Sequence, residues 1–228
     1  MPPEIPPPDQ RDLTGIRRLS TDVELREIIG QPLPLVRAKV VDALNHLTRQ
    51  FIERSPFVCL ATSDANGNCD VTPRGDPSGF VRILDARTLL IPERPGNRLA
   101  DALRNILANP HVGLLFLLPG VTDTFRVNGR AWLTDDAALL APSVHNGKVP
   151  RLGIVVDIDE AFTQCSKAFI RSNLWDPGHY QDGSTLPSNG EIMAVVAATF
   201  NAEHNPEFNA VAYDSARAER YSRGDGLY

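Results

Sequence analysis

The chain is poor in three things. It has only three cysteines, Cys59, Cys69 and Cys165, an odd number with no CxxC spacing, so neither a disulfide framework nor a structural zinc site is indicated. It has no long hydrophobic run: none exceeds the seven residues of Val112 to Leu118, far below the ~20 a helix needs to cross a bilayer. And it has only three lysines, Lys39, Lys148 and Lys167, among 23 basic residues. Arginine is the side chain whose planar fork binds phosphate or carboxylate at two points. Codon bias explains the same ratio, so each arginine must be judged in context. The opening MPPEIPPPDQRD has neither a basic start nor an apolar core with a cleavage site, so no secretory signal is read and a cytoplasmic protein is expected. A formal charge of −5 is the wrong sign for a protein that wraps nucleic acid.

What is present suffices for a core. A hydrophobic fraction of 42% over 228 residues excludes disorder along most of the chain. Residues 1–19 read as a mobile proline-rich tail, and 20–228 as a single domain. Ser20 or Thr21 caps a short helix to Ile29. The spacing of Leu35, Val36, Val40, Val41, Leu44, Leu47, Phe51 and Ile52 predicts one amphipathic helix over 35–54, ended by Ser55-Pro56. From Phe57 the period turns to that of strands: Phe57 to Ser63, a reversal at Asn66-Gly67, a return over Cys69 to Thr72, then Phe80 to Leu84, Thr88 to Ile91, Val112 to Leu117, Asp123 to Leu133 and Gly153 to Ile158. A helix over Arg98 to Leu107 crosses between the fourth and fifth. Further helices are expected over Ala161 to Ser172, over Ile192 to Thr199 behind a Ser188-Glu191 capping box, and from Pro206 to about Ser222. Trp175 to Pro187 reads as a polar loop.

The chain has no GxSxG elbow, no HExxH, no GxxxxGK[ST] loop and no GxGxxG after a strand. Its five histidines are scattered; a metal site built from His179, His204 and a carboxylate competes with their being exposed loop residues. The informative stretches are Cys69-Asp70-Val71-Thr72-Pro73-Arg74 and Ile91-Pro92-Glu93-Arg94-Pro95-Gly96-Asn97-Arg98, each placing arginine at a strand exit. In the second, Asn97 and Arg98 are expected to begin a helix, whose free N–H groups favour an anion. The competing reading is a solvated turn.

Two motifs in this order carry a resemblance. Asn109-Pro110-His111-Val112-Gly113-Leu114-Leu115-Phe116 and Arg126-Val127-Asn128-Gly129-Arg130-Ala131, within about Phe57 to Asp136, resemble the pyridoxamine 5′-phosphate oxidase-related, FMN-binding split-barrel family. The resemblance implies an α+β fold: an antiparallel split β-barrel over about 57–160, with a crossover helix and flanking N- and C-terminal helices. It implies FMN lying along Asp70, Val71, Thr72 and Pro73, with Arg74, Asn97 and Arg98 at its phosphate and Ile91 and Pro92 alongside. Thr124 is a further candidate for a flavin hydrogen bond. It also implies a homodimer in which a second subunit closes the site through Lys167, Arg171 and Trp175; the competing reading makes the two cations a solvated face and the tryptophan a core or interface residue. The chain departs from the vitamin enzyme in having Cys69 and Arg74 where that enzyme has arginine and lysine, and in lacking its C-terminal phosphate grip. An FMN-dependent oxidoreductase of unknown small-molecule substrate is therefore expected. The alternatives are a module that stores or senses flavin or holds haem or a deazaflavin, pyridoxamine phosphate oxidation itself, and dimerisation without a cofactor.

Overall fold

In a computed structural model of the chain, residues 14–200, 208–225 and 227–228 are described. The chain divides into two compact units at Ala38/Lys39. In the first, helix α1 (Asp22–Ile29) opens on a reciprocal capping box, Thr21 accepting from the Glu24 amide while the Glu24 side chain accepts from the Thr21 amide. A short helix, α2 (Pro34–Ala38), follows.

The second unit is a seven-stranded antiparallel sheet in the split-barrel arrangement. Its strands are β1 (Phe57–Ser63), β2 (Cys69–Gly75), β3 (Arg82–Ile83), β4 (Thr88–Glu93), β5 (His111–Leu117), β6 (Thr124–Thr134) and β7 (Leu152–Gln164), in the order β2-β1-β5-β6-β7-β4-β3, with β2 and β3 as its two edges. Strict alternation builds its interior. Val58 and Leu60 of β1, Leu114 and Phe116 of β5, and Phe125 and Val127 of β6 are fully buried, while their neighbours in sequence, except buried Thr124, are partly or fully exposed. Helix α3 (Arg49–Arg54) seals one end, with Ile52 buried and Phe51 stacked on Phe125 at 5.6 Å. Helix α4 (Asp101–Ala108) crosses the other side through Ala102, Asn105 and Ile106. A smaller cluster, Leu90, Leu140 and Val155, lies on the opposite face of β4 and β7, beneath α5 (Ala137–Leu140).

The Gly in Arg126-Val127-Asn128-Gly129-Arg130-Ala131 has a steric cause. The β6–β7 register slips between Asn128 and Gly129, and a Cβ at Gly129 would lie 2.0 Å from the Asp157 carbonyl oxygen.

Three expected helices differ. The predicted helix 35–54 is two short helices joined by extended chain, because β7 and a side chain claim the middle: Val41 exchanges backbone bonds with Ala161, the Leu44 amide donates to Ala86, and the Asn45 side chain accepts from the Leu47 and Thr48 amides. The helix expected from Ala161 starts only at Lys167, as α6 (Lys167–Ser172), because β7 continues to Gln164 against the long β6. The crossover helix begins at Asp101, not Arg98, since Arg98 and Ala100 are in the left-handed region at φ 66° and 58°.

Locally encoded features stand where the sequence puts them. Asp64 accepts from the Asn66 and Asn68 amides in the β1–β2 turn, where Gly67 has φ 85°. Ser188 and Glu191 form the expected capping box of α7 (Asn189–Phe200). The last helix, α8, is Ala210–Ser222. Pro206, His204 and Met1 to Leu13 lie outside the described residues. Among the described residues no helix is long and apolar enough to cross a membrane, and no three metal-ligating side chains gather.

Candidate functional site

β2 is an edge strand, paired only with β1, so half of its backbone N–H and C=O groups face away from the sheet and are open to a ligand's polar edge. An edge is also where Pro73 is tolerated, since it lacks an N–H to give. Alternation divides the predicted ring-contacting residues. Val71 and Pro73 face outward and are exposed, whereas Asp70, Thr72 and Arg74 turn to the face shared with buried Thr62, Leu60 and Val58. Asp70 is held from below: Asn105 of α4, itself buried, donates through Nδ2 to Asp70 Oδ2 at 2.7 Å and to Thr62 Oγ1 at 3.1 Å. The crossover helix thereby fixes the unsupported edge.

Where β2 ends, a cleft of about 620 Å³ opens between Pro73-Arg74-Gly75 and the Pro92-to-Asn97 turn, with Tyr213, Arg220 and Tyr221 of α8 on its far wall. Arg74 Nε and Glu93 Oε2 are 3.2 Å apart, each side chain about four-fifths buried, yet misaligned for a hydrogen bond. Both atoms are thus buried with hydrogen-bonding capacity unspent, as is Thr72 Oγ1 on the same strand face. Burial pushes the Glu93 carboxyl above the ordinary carboxylate range, and the Arg74 charge only partly offsets this. Arg94 is differently employed. Its Nε meets the fully buried Asp76 carboxylate at 2.7 Å, its Nη2 donates to the Ser143 carbonyl at 3.0 Å, and Tyr228 donates its hydroxyl to the other Asp76 oxygen at 2.9 Å. This bonding makes Arg94 a structural cation.

The expected phosphate trio is divided. Arg74 and Asn97 line the cleft, with Pro92, and the Asn97 side chain accepts from the Leu99 amide, holding the turn. Arg98 leaves through its left-handed backbone and lines a neighbouring cleft. Asn97 and Arg98 do not begin α4, so the helix-terminus argument for an anion there does not apply. Ile91 is fully buried in the core, and Thr124 is buried at the start of β6; neither lines the cleft. Lys167, Arg171 and Trp175 also stand apart within one chain: the Trp175 indole donates to the Val121 carbonyl at 2.9 Å, packs tilted against the Phe169 ring at 5.8 Å, and walls an apolar hollow with Pro56, Phe57, Leu117 and Pro119. Sequence reading missed Glu93, Asp76 and the α8 wall. The carboxylates meet their arginines across strands and turns, a juxtaposition that no local spacing announces.

Comparison with known proteins agrees with this architecture. Residues 44–165 match the model of the pyridoxamine 5′-phosphate oxidase family. Solved structures similar to it include HupZ of Group A Streptococcus (18% identity, TM-score 0.44, covering 53% of this chain and 93% of that one). Another is a candidate pyridoxamine 5′-phosphate oxidase of Lactobacillus delbrueckii (24%, 0.42, 54% and 95%). A third is an FMN-binding protein of Syntrophomonas wolfei (16%, 0.39, 52% and 89%). No curated protein matches. With more than half its length matched by the family model and its seven strands in the split-barrel arrangement, this chain belongs to the pyridoxamine 5′-phosphate oxidase family.

Proposed function

We propose that this protein binds FMN in the cleft at the end of β2 and works as an FMN-dependent oxidoreductase on a small molecule. One observation carries the reading: at the exit of an edge strand with outward-facing backbone groups, Arg74 lines the cleft together with Asn97 and Pro92, and the Glu93 carboxylate beside its Nε holds the guanidinium there. A guanidinium held in this way presents its remaining donors to a ligand rich in acceptors. Family membership supports a flavin as that ligand. In this reading the open backbone of Asp70 to Pro73 meets the ring, Arg74 and Asn97 meet the phosphate, and Pro92 lies against the ribityl chain. Bound there, the flavin supplies hydride transfer, and the protein supplies position and electrostatics. Glu93 orients Arg74. A homodimer would bring Lys167, Arg171 and Trp175 of the second copy to the open side of the ring, where a cation stabilises developing negative charge.

The test is the visible spectrum of freshly purified protein, followed by mass identification of whatever heat releases. Two flavin bands and released FMN are expected, with sustained turnover of NAD(P)H and an acceptor. Binding without turnover would make the protein a store or sensor. A colourless protein that takes up no added FMN would overturn the reading.

A further inference from the structure

No residue of α8 is buried, although its Tyr213, Arg220 and Tyr221 form the far wall of the cleft. A helix that buries nothing gains little from packing, so its ends hold it in place. Its first turns lie against α7: the Gly190 amide donates to Asp214 Oδ1 at 2.9 Å, and a Cβ at Gly190 would lie 2.4 Å from the Ala210 carbonyl oxygen. At the other end the chain turns back on itself. Gly224, at φ 71°, allows its own amide to donate to the Tyr221 carbonyl and the Asp225 amide to donate to the Arg220 carbonyl, the two bonds of a Schellman cap. Beyond this reversal Leu227 lines the cleft, and Tyr228 lines its neighbour.

Tyr228 fastens this end to the barrel. Its hydroxyl donates to Asp76 Oδ1 at 2.9 Å, its ring lies 4.3 Å from the His145 ring with the Arg94 guanidinium over it at 5.4 Å, and its main-chain oxygen accepts from Lys148 Nζ at 2.8 Å. The hydrogen bond to Asp76 pushes the phenol above its ordinary range, so it stays a donor at neutral pH. The other Asp76 oxygen takes Arg94 Nε, and Arg94 stands in the turn between Glu93, the partner of Arg74, and Asn97. One side chain thus ties α8 to the turn that walls the cleft opposite it. We propose that Tyr228 is a latch: α8 is a strap over the cleft, hinged at Gly190 and Asp214, and a ligand enters or leaves the cleft when Tyr228 releases Asp76. That FMN is the ligand so gated rests on the proposed function; the latch itself does not.

The experiment compares the full-length protein with Tyr228→Phe, which keeps the ring beside His145 and Arg94 but loses the hydroxyl, and with Tyr228→Ala. Amide hydrogen exchange of the flavin-free proteins, read by mass spectrometry, is expected to quicken across Tyr213 to Ser222 about ten-fold or more in Tyr228→Phe, and further in Tyr228→Ala, with β5 and β6 unchanged. Stopped-flow mixing with FMN is expected to show association and dissociation quickened by the same factor, leaving affinity nearly unchanged. Unchanged exchange in α8 in both variants, or exchange that rises equally in β5 and β6, would overturn the latch. Faster dissociation alone, with affinity lost in proportion, would make Tyr228 a support of the bound ligand and overturn the gate. A protein that takes up no FMN would remove the flavin reading, and exchange in α8 would then decide the latch by itself.

Discussion

Arginines near one cleft differ in what they are free to do, and burial of their partners decides it. Asp76 is almost wholly enclosed and receives both Arg94 and the Tyr228 hydroxyl. Removing one member of such a pair leaves an uncompensated buried charge, so Arg94→Met should cost about 3–5 kcal/mol in urea unfolding. A loss below about 1 kcal/mol would show that the pair behaves like a surface ion pair. Glu93 makes a pH prediction. Its carboxyl titrates above the usual range because burial outweighs the Arg74 charge, so the fold favours its protonated form. Its contribution is therefore complete below the unfolded value of about 4.3 and is lost as pH rises through the raised value. Glu93→Gln cannot titrate. The stability of the unaltered protein minus that of Glu93→Gln should fall as pH rises from about 4 through the raised value. A difference that grows with pH would show that Arg74 outweighs burial.

At the scale of elements, the barrel depends on contacts that are tight in some places and borrowed in others. Gly129 sits where β6 slips register against β7, and any Cβ there collides with backbone that no rotamer change can move. Gly129→Ala should destabilise by about 1–3 kcal/mol, read from the denaturation midpoint; a neutral effect would mean that the bulge relaxes freely. The same elements show what a sequence discloses. The Asn66-Gly67 turn and the Ser188-Glu191 cap were legible because both are closed by side chains within four residues. The strands were legible because alternation records a half-buried face. Lys39 to Thr48 was not, because its helical spacing yields to hydrogen bonds from Ala161 and Ala86, far along the chain. Residues Ala161 to Gln164 were misread for the same reason: their partners are Thr124 to Val127. In the candidate site, Arg74 was legible at a strand exit, whereas Asn97 and Arg98 were read as opening a helix that starts only at Asp101, because Arg98 and Ala100 have a left-handed backbone that their residue types do not announce.

For the whole molecule, the family assigns the fold, while the residues that line the cleft are the protein's own particulars. Lys167, Arg171 and Trp175 stand away from the cleft of their own chain, so the proposed closure of the site requires two copies. Sedimentation equilibrium of the FMN-loaded protein should give twice the mass of one chain. A monomer that binds FMN fully would remove these three residues from the site. The most direct test of the central claim is a fluorescence titration of flavin-free protein with FMN and with riboflavin, which differ only in the phosphate assigned to Arg74 and Asn97. The account predicts tighter binding of FMN by about ten-fold or more, as expected of a charge-assisted contact of about 1.5–3 kcal/mol, and near loss of that preference in Arg74→Ala. Equal affinity for the two flavins, or a preference that survives Arg74→Ala, would contradict it.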